Sequence, residues 1–326
     1  MKKTTLKFTA TALILGTSLF GGIAGAAEFP ERPVSMVVPF SAGGPTDTVA
    51  RSLAEAMRSS LGETVLVENK GGAGGTIGVS HVARAKPDGH TILLMHIGFS
   101  TAQSLYKDPG YTSDSFEPIG LVLDVPMTII ARSDFPADNI EELVAYLKAN
   151  PDKVSLANAG IGAASHLCGT MFANAIGVEL LTIPYKGTGP AMNDLLGKQV
   201  DVMCDQTTNT SQHIKAGTVK AYAVTSKERV PTLPDLPTMQ ESGFDGFEVG
   251  IWHGMWAPKG TPQPALDKLQ KALQDGLADK AFQERMLGLG ANLLPARANP
   301  KALADHVNQQ VPQWAELFKK AGIEPQ

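Results

Sequence analysis

Past its first 26 residues the chain has no apolar run long enough to cross a bilayer, so no helical membrane span is expected. It carries only two cysteines, Cys168 and Cys204. It has no excess of base: 28 Lys and Arg stand against 32 Asp and Glu. That balance argues against nucleic acid as a partner. It lacks a G-x-S-x-G elbow and an H-E-x-x-H helix, the usual marks of hydrolytic sites. His81, His90, His96, His213, His253 and His306 are scattered without metal-ligand spacing and read as surface or core positions. Neither metal nor cofactor is therefore expected. His166 does follow Ser165, but adjacent residues on a helix diverge by about 100° and do not pair as nucleophile and base. An exported hydrolase of small carboxylic esters or amides, acting through Ser165, remains the alternative function.

The first residues set an address. Lys2, Lys3 and Lys7 precede the apolar stretch 10–20, and Ala24-Gly25-Ala26 offers a small-residue cleavage site. Residues 1–26 therefore read as a secretory signal peptide. Losing its three lysines leaves 25 basic residues against 32 acidic ones, a net charge of about −7. An anionic ligand would then be held by local donors, not drawn in by a global field.

The organising stretch runs from Val34 to Asp47. Val34-Ser35-Met36-Val37-Val38 is an apolar, β-branched strand, covered on both faces. Pro39 ends it. Gly43 and Gly44 allow close backbone approach, and Pro45, Thr46 and Asp47 open a helix that continues from Thr48 to Met57. A strand ending in a glycine loop at a helix N-terminus aims unpaired N–H groups at one point, which attracts an anion. The pattern returns at 154–166, where Val154 to Asn158 leads into Ala159-Gly160-Ile161-Gly162-Ala163-Ala164-Ser165-His166. Two such loops suggest a ligand held between two domains. Several glycine loops are also ordinary in any α/β protein.

Between and after these loops the chain alternates. Strands are expected at 64–68 and 91–95, and strand-like runs at 119–123 and 127–131 flank Asp124-Val125-Pro126. Strands at 154–158, 180–183, 200–204, 219–224 and 248–256 follow, with helices between. The predicted domains are 27–126 with 251–326, and 127–250, so the first is discontinuous and two crossings make a hinge. Ile97 to Thr101 ends its strand in small residues and hydroxyls, on the sheet edge where ligands bind in open α/β folds. The cluster Gly72, Gly74, Gly78 matches a weak dinucleotide spacing. It follows the second strand, not the first, and reads better as a loop at the cleft edge.

Donors at the cleft are neutral. Ser41, Thr46, Ser165 and backbone N–H groups are there, with no arginine in either loop. A branched side chain at Gly162 is expected to displace ligand oxygens. Lys186 opens a further loop-to-helix junction, facing either ligand or solvent. Asp205 and Gln206 close the strand 200–204, to read a second polar group or to cap the next turn. Cys168 and Cys204 fall where neighbouring elements of a sheet can meet. An even count in an exported chain invites a disulfide, with two buried free thiols as the alternative.

These residues resemble a known family. Pro39-Phe40-Ser41-Ala42-Gly43-Gly44 with Asp47 is similar to the first-loop signature of the Bug proteins, the periplasmic receptors of tripartite tricarboxylate transporters. The likeness continues through Asn69 with Gly72-Ala73-Gly74-Gly75, Pro87-Asp88-Gly89, Asn158 to His166, Pro184-Tyr185-Lys186-Gly187 with Pro190, Asp194-Leu195-Leu196-Gly197, Leu236-Pro237-Thr238 and Ala257-Pro258. It implies an α/β, two-domain Venus-flytrap binding protein, each domain a mostly parallel sheet flanked by helices. It implies a periplasmic, non-catalytic receptor that takes a small organic acid and delivers it to membrane transporter subunits. A monomer is expected. The two loops would pinch the ligand carboxylate, partly through water, with Phe40 against the ligand. The expected ligand set is Phe40, Ser41, Ala42, Gly43, Gly44, Thr46 and Asp47 from the first loop. Ala159, Gly160, Ile161, Gly162, Ala163, Ser165 and His166 come from the second, and Ser100, Tyr185, Lys186, Gly187, Asp205 and Gln206 surround them. The family does not fix which acid binds.

Overall fold

The computed structural model describes residues 29–320 and 323–325; the expected signal peptide lies outside them. The chain begins with β1 (Val34–Val38), α1 (Pro45–Leu61), β2 (Val65–Asn69), α2 (Thr76–Ala83), β3 (Thr91–His96) and α3 (Gly98–Leu105). A long strand, β4 (Phe116–Arg132), leads to α4 (Ile140–Ala149), β5 (Ser155–Asn158), α5 (Ala164–Ile176), β6 (Leu181–Pro184) and α6 (Thr188–Leu196). Then come β7 (Val202–Gln206), α7 (Thr207–Lys215), β8 (Val219–Val224), β9 (Gly250–Pro258), α8 (Gln263–Ala278), α9 (Lys280–Gly288), β10 (Asn292–Leu293) and α10 (Pro300–Lys320). Among the described residues no helix is long and apolar enough to cross a membrane.

The strands form two lobes joined through shared strands, in the order β2-β1-β3-β9-β4-β7-β5-β6. Within each lobe three strands run parallel, β2-β1-β3 in the first and β6-β5-β7 in the second. The crossing strands β4 and β9 run antiparallel to them, so each sheet is mixed. The parallel strands are almost wholly buried at β1 and β3, as their unbroken apolar runs require.

Two expectations from sequence are corrected. The strand-like runs at 119–123 and 127–131 are one strand of 17 residues. Phe116 to Pro126 pairs with β9, and from Met127 onward the partners are β7 and β8. Pro126 is the last residue of β4 to pair with β9, opposite Gly250, and stands where the partner changes, so the strand runs through it. The residues after β3 form α3 instead of a frayed strand end. The Gly98 N–H donates to His96 Nδ1 at 3.0 Å, which turns the chain. Phe99 then anchors the helix by stacking on Trp256, with ring centroids 4.5 Å apart.

The helices cover the sheet by apolar faces. On α1 the residues Val49, Leu53 and Met57 are fully buried, at the spacing of one helical stripe. Cys168 on α5 and Cys204 on β7 form a disulfide with Cα atoms 6.0 Å apart. It ties the helix behind the second loop to the strand that carries Asp205 and Gln206.

Candidate functional site

The parallel strands of both lobes end at one place. Four helices start there: α1 after β1, α5 after β5, α6 after β6 and α7 after β7. A buried cavity lies between their N-termini. Pro45, Thr46 and Asp47 reach it from the first turn of α1, Ala164 and Ser165 from α5, Thr188 from α6, and Gln206 from the residue before α7. Phe40, Gly44, His96, Ala159 and Asp205 complete the wall. No lysine or arginine is among them. The walls leave about 10 Å³ for the centre of a water molecule, room for roughly one. Free first-turn N–H groups and the aligned peptide dipoles make each helix start mildly positive. Lysine and arginine are absent from the wall, and its two carboxylates are those of Asp47 and Asp205.

Individual side chains divide into wall and frame. The Ser165 hydroxyl accepts the Ala159 N–H at 2.9 Å, which leaves its own proton free to donate into the cavity. Thr188 Oγ1 and Gln206 Oε1 are buried without a hydrogen-bond partner, an arrangement that calls for a polar ligand or water. Asp47 is frame. Its carboxylate accepts from Gly43 N–H at 3.0 Å, Arg51 Nε at 3.0 Å and Asn69 Nδ2 at 2.9 Å. Burial pushes that carboxyl up, but those hydrogen bonds outweigh it and hold it below the ordinary value. Arg51 thus serves the loop, not the cavity.

Asp205 differs. It is only 1% exposed, and burial raises its pKa to about 6 against the pull of Asn209, the Gln206 N–H and Thr188. Asn209 Nδ2 donates to it at 2.6 Å. The Thr188 hydroxyl lies close enough to lower the pKa yet completes no well-aligned hydrogen bond. His96 and His253 face each other across β3 and β9. Burial holds both neutral, His253 down to about 4 and His96 well below its ordinary value. The sequence places both among scattered surface or core positions and does not mark Thr188 as part of the site; no spacing rule marks a lone histidine at a strand end.

The lobes meet along a seam beside the cavity. The Ser41 N–H donates to the Lys186 carbonyl at 2.9 Å, Thr101 Oγ1 to the Gly162 carbonyl at 2.8 Å, and the Tyr106 hydroxyl to the Ile161 carbonyl at 3.0 Å. Glycines make this approach possible. A Cβ on Gly71 would stand 2.5 Å from the Lys186 oxygen, one on Gly189 would stand 2.5 Å from the Ala42 oxygen, and one on Gly74 would collide with the Ile161 oxygen. The cluster at 71–78 is thus a seam against the second lobe and shows no dinucleotide geometry.

Several residues expected at the ligand do not line the cavity. Ser41, Gly160, Ile161, Tyr185 and Lys186 border a separate depression of about 530 Å³ at the outer end of the seam. The Tyr185 hydroxyl donates to Asp194 at 2.6 Å instead of a ligand. Ala42, Gly43 and Gly187 belong to the seam. Gly162 has φ +79°, and its Cβ would face Leu105 and Thr101 of the first lobe, not ligand oxygens. Ala163 precedes α5 with its N–H on the Gly160 carbonyl. His166 Nδ1 lies 3.4 Å from the Gly162 N–H, and among the described residues it makes no hydrogen bond to Ser165, whose hydroxyl accepts the Ala159 N–H. The Ser100 hydroxyl is buried in α3 without a partner, outside the cavity wall. Among the described residues no group of acidic, histidine or cysteine side chains is placed to hold a metal ion.

Comparison with known proteins agrees with this architecture. Residues 49–323 match the family model described as tripartite tricarboxylate transporter family receptor. The solved structure of the periplasmic binding protein BugD is 76% identical, covers 91% of this chain and all of its own, and superposes with a TM-score of 0.90. MatC from Rhodopseudomonas palustris, solved with bound malate, is 39% identical over 88% of this chain and 99% of its own, with a TM-score of 0.85. A protein encoded in the TAR-I ttuE-ttuC' intergenic region of Agrobacterium vitis is 45% identical over 95% of this chain and 91% of its own length. The matched family consists of periplasmic solute-binding proteins and not enzymes, which removes the hydrolase alternative. A cavity built from four helix starts between two lobes, and a match over nearly the whole described chain, place this protein in the tripartite tricarboxylate transporter receptor family.

Proposed function

We propose that this protein is an exported, periplasmic receptor that encloses a small organic carboxylate between its lobes and delivers it to tripartite membrane transporter subunits. The observation that carries the reading is the convergence of four helix N-termini on one buried cavity without lysine or arginine. Neutral donors hold a carboxylate firmly enough to select it and weakly enough to release it. MatC, with its bound malate, supports a short dicarboxylate as the ligand class. The leader-like composition of residues 1–26 supports export.

In this reading residues 27–126 with 251–326 form one closing body and 127–250 the other. They rotate about 125–126 and 250–251, next to the place where β4 changes partners. The seam bonds from Ser41, Thr101 and Tyr106 form on closure, and the acid enters with the lobes apart, since the cavity between the lobes as they stand here has room for about one water. A thermal-shift screen of dialysed protein against succinate, malate, adipate, citrate and monocarboxylates tests the reading. The expected result is a rise in melting temperature with a subset of these acids, with the acid recovered unchanged. No stabilisation by any carboxylate overturns it.

A further inference from the structure

We propose that His96 is a ligand-binding residue of this site, donating its Nε2–H to the bound carboxylate. The inference rests on the receptor reading above and adds to it the donor that the glycine loops do not supply.

His96 is the last residue of β3 and stands in the cavity wall, only 3% exposed. Its Nδ1 accepts the Gly98 N–H at 3.0 Å. A backbone N–H can only donate, so Nδ1 is the unprotonated nitrogen and the proton sits on Nε2. Nε2 meets no hydrogen-bond partner among the described residues, although the ring is almost wholly enclosed. Nε2 is not among the side-chain atoms sealed from solvent without a partner, so it keeps access to the cavity that His96 lines, where an acceptor can meet it.

The neighbours fix this arrangement. Phe40 stacks on one face of the imidazole, with centroids 4.7 Å apart and planes 21° from parallel. His253 meets it edge-on at 5.8 Å. The His253 Nδ1 lies 3.2 Å from the Ile251 carbonyl, which marks Nδ1 as its protonated nitrogen, and its Nε2 faces Thr46 Oγ1 at 3.4 Å. His253 therefore spends its acceptor on Thr46 and offers none to His96. Burial and the second imidazole keep His96 uncharged, so it presents an oriented dipole where a lysine would present a full charge.

The same geometry allows a rival role, in which His96 only supports the Phe40 ring. Two substitutions separate them. His96→Phe keeps an aromatic ring for the stack and removes the donor; His96→Gln removes the ring and places an amide N–H near the position of Nε2. Calorimetric titration uses malate, or the acid from the screen above that stabilises the wild type most. The donor role predicts that His96→Phe weakens binding about 10- to 100-fold, the usual size for a hydrogen bond to a charged group. It predicts that His96→Gln recovers part of the loss. Wild-type affinity in His96→Phe, or a worse loss in His96→Gln, overturns the proposal in favour of ring support. Nitrogen-15 NMR of the wild type provides a readout that does not depend on the variants folding. Nε2 should be the protonated nitrogen, and its signal should move on adding the acid. An Nδ1–H tautomer, or an Nε2 signal indifferent to a ligand that binds, also overturns it. If no carboxylate binds the wild type, the receptor reading itself fails, and that outcome is distinct from failure at His96.

Discussion

The Ser41 N–H donates to the backbone carbonyl of Lys186 at 2.9 Å, across the seam between the lobes. The Ser41 hydroxyl reaches the same oxygen at 3.3 Å. Lys186 thus joins the lobes by its backbone, while its side chain borders the exposed outer depression. Replacing that side chain leaves the seam bond in place. Lys186→Ala should change ligand affinity by no more than about threefold, because an exposed ammonium is well screened. Calorimetric titration checks this; a loss beyond thirtyfold would mean that the ammonium holds the ligand.

The glycines of the seam should be more sensitive than the lysine. Gly189 lies in the first turn of α6, and its Cβ would stand 2.5 Å from the Ala42 oxygen and 2.9 Å from the Gly43 carbonyl carbon. Both are backbone atoms of the opposite lobe and cannot swing aside. Gly189→Ala should keep the protein folded, since alanine is a better helix residue than glycine by up to about 1 kcal/mol. Affinity should fall at least tenfold because the closed state is penalised. X-ray scattering with saturating ligand should show a larger radius of gyration than the wild type. Equal compaction of the two proteins would refute the seam as a steric gate.

Asp205 should make stability depend on pH. Its pKa is raised by burial from 3.8 to about 6, so the folded state holds its proton more tightly than the unfolded chain. That contribution is fully present below pH 3.8 and is lost as pH rises through about 6. Asp205→Asn keeps an acceptor for Asn209 and has no charge to bury. The variant should gain on the wild type as pH rises from 4.5 to 8, by at most about 3 kcal/mol. Urea denaturation at the two pH values measures the difference. Parallel behaviour would show that Asp205 is not desolvated. A carboxylate that costs stability at the cavity wall fits a functional role better than a structural one.

The disulfide closes a sequence separation of 36 residues. Denatured, unreduced protein from the periplasm should contain no free thiol. The double variant Cys168→Ser/Cys204→Ser should lose about 2–4 kcal/mol of stability. Two reactive thiols in the native preparation would rule out the bond as a stable feature.

Much of this molecule is written locally in the chain. The alternation of β-branched runs, glycine loops and helix starts determined the α/β architecture and the two loops that lead from β1 into α1 and from β5 into α5, because each signal acts within a few residues. Gly44, Thr46 and Ser165 stand where those loops place them, in one cavity wall. Other features depend on contacts between distant segments, and no local pattern encodes them. Whether β4 breaks at Pro126 was decided by the partners on each side of that residue. Whether Gly162 faces ligand or protein was decided by α3, whose Thr101 and Leu105 lie against it. His96 and Thr188 entered the cavity wall because the register of β3 with β9 and the angle between the lobes brought them there. Likewise, the contact between the lobes, which no local pattern encodes, makes the carbonyl of Lys186 the group that joins them at the seam.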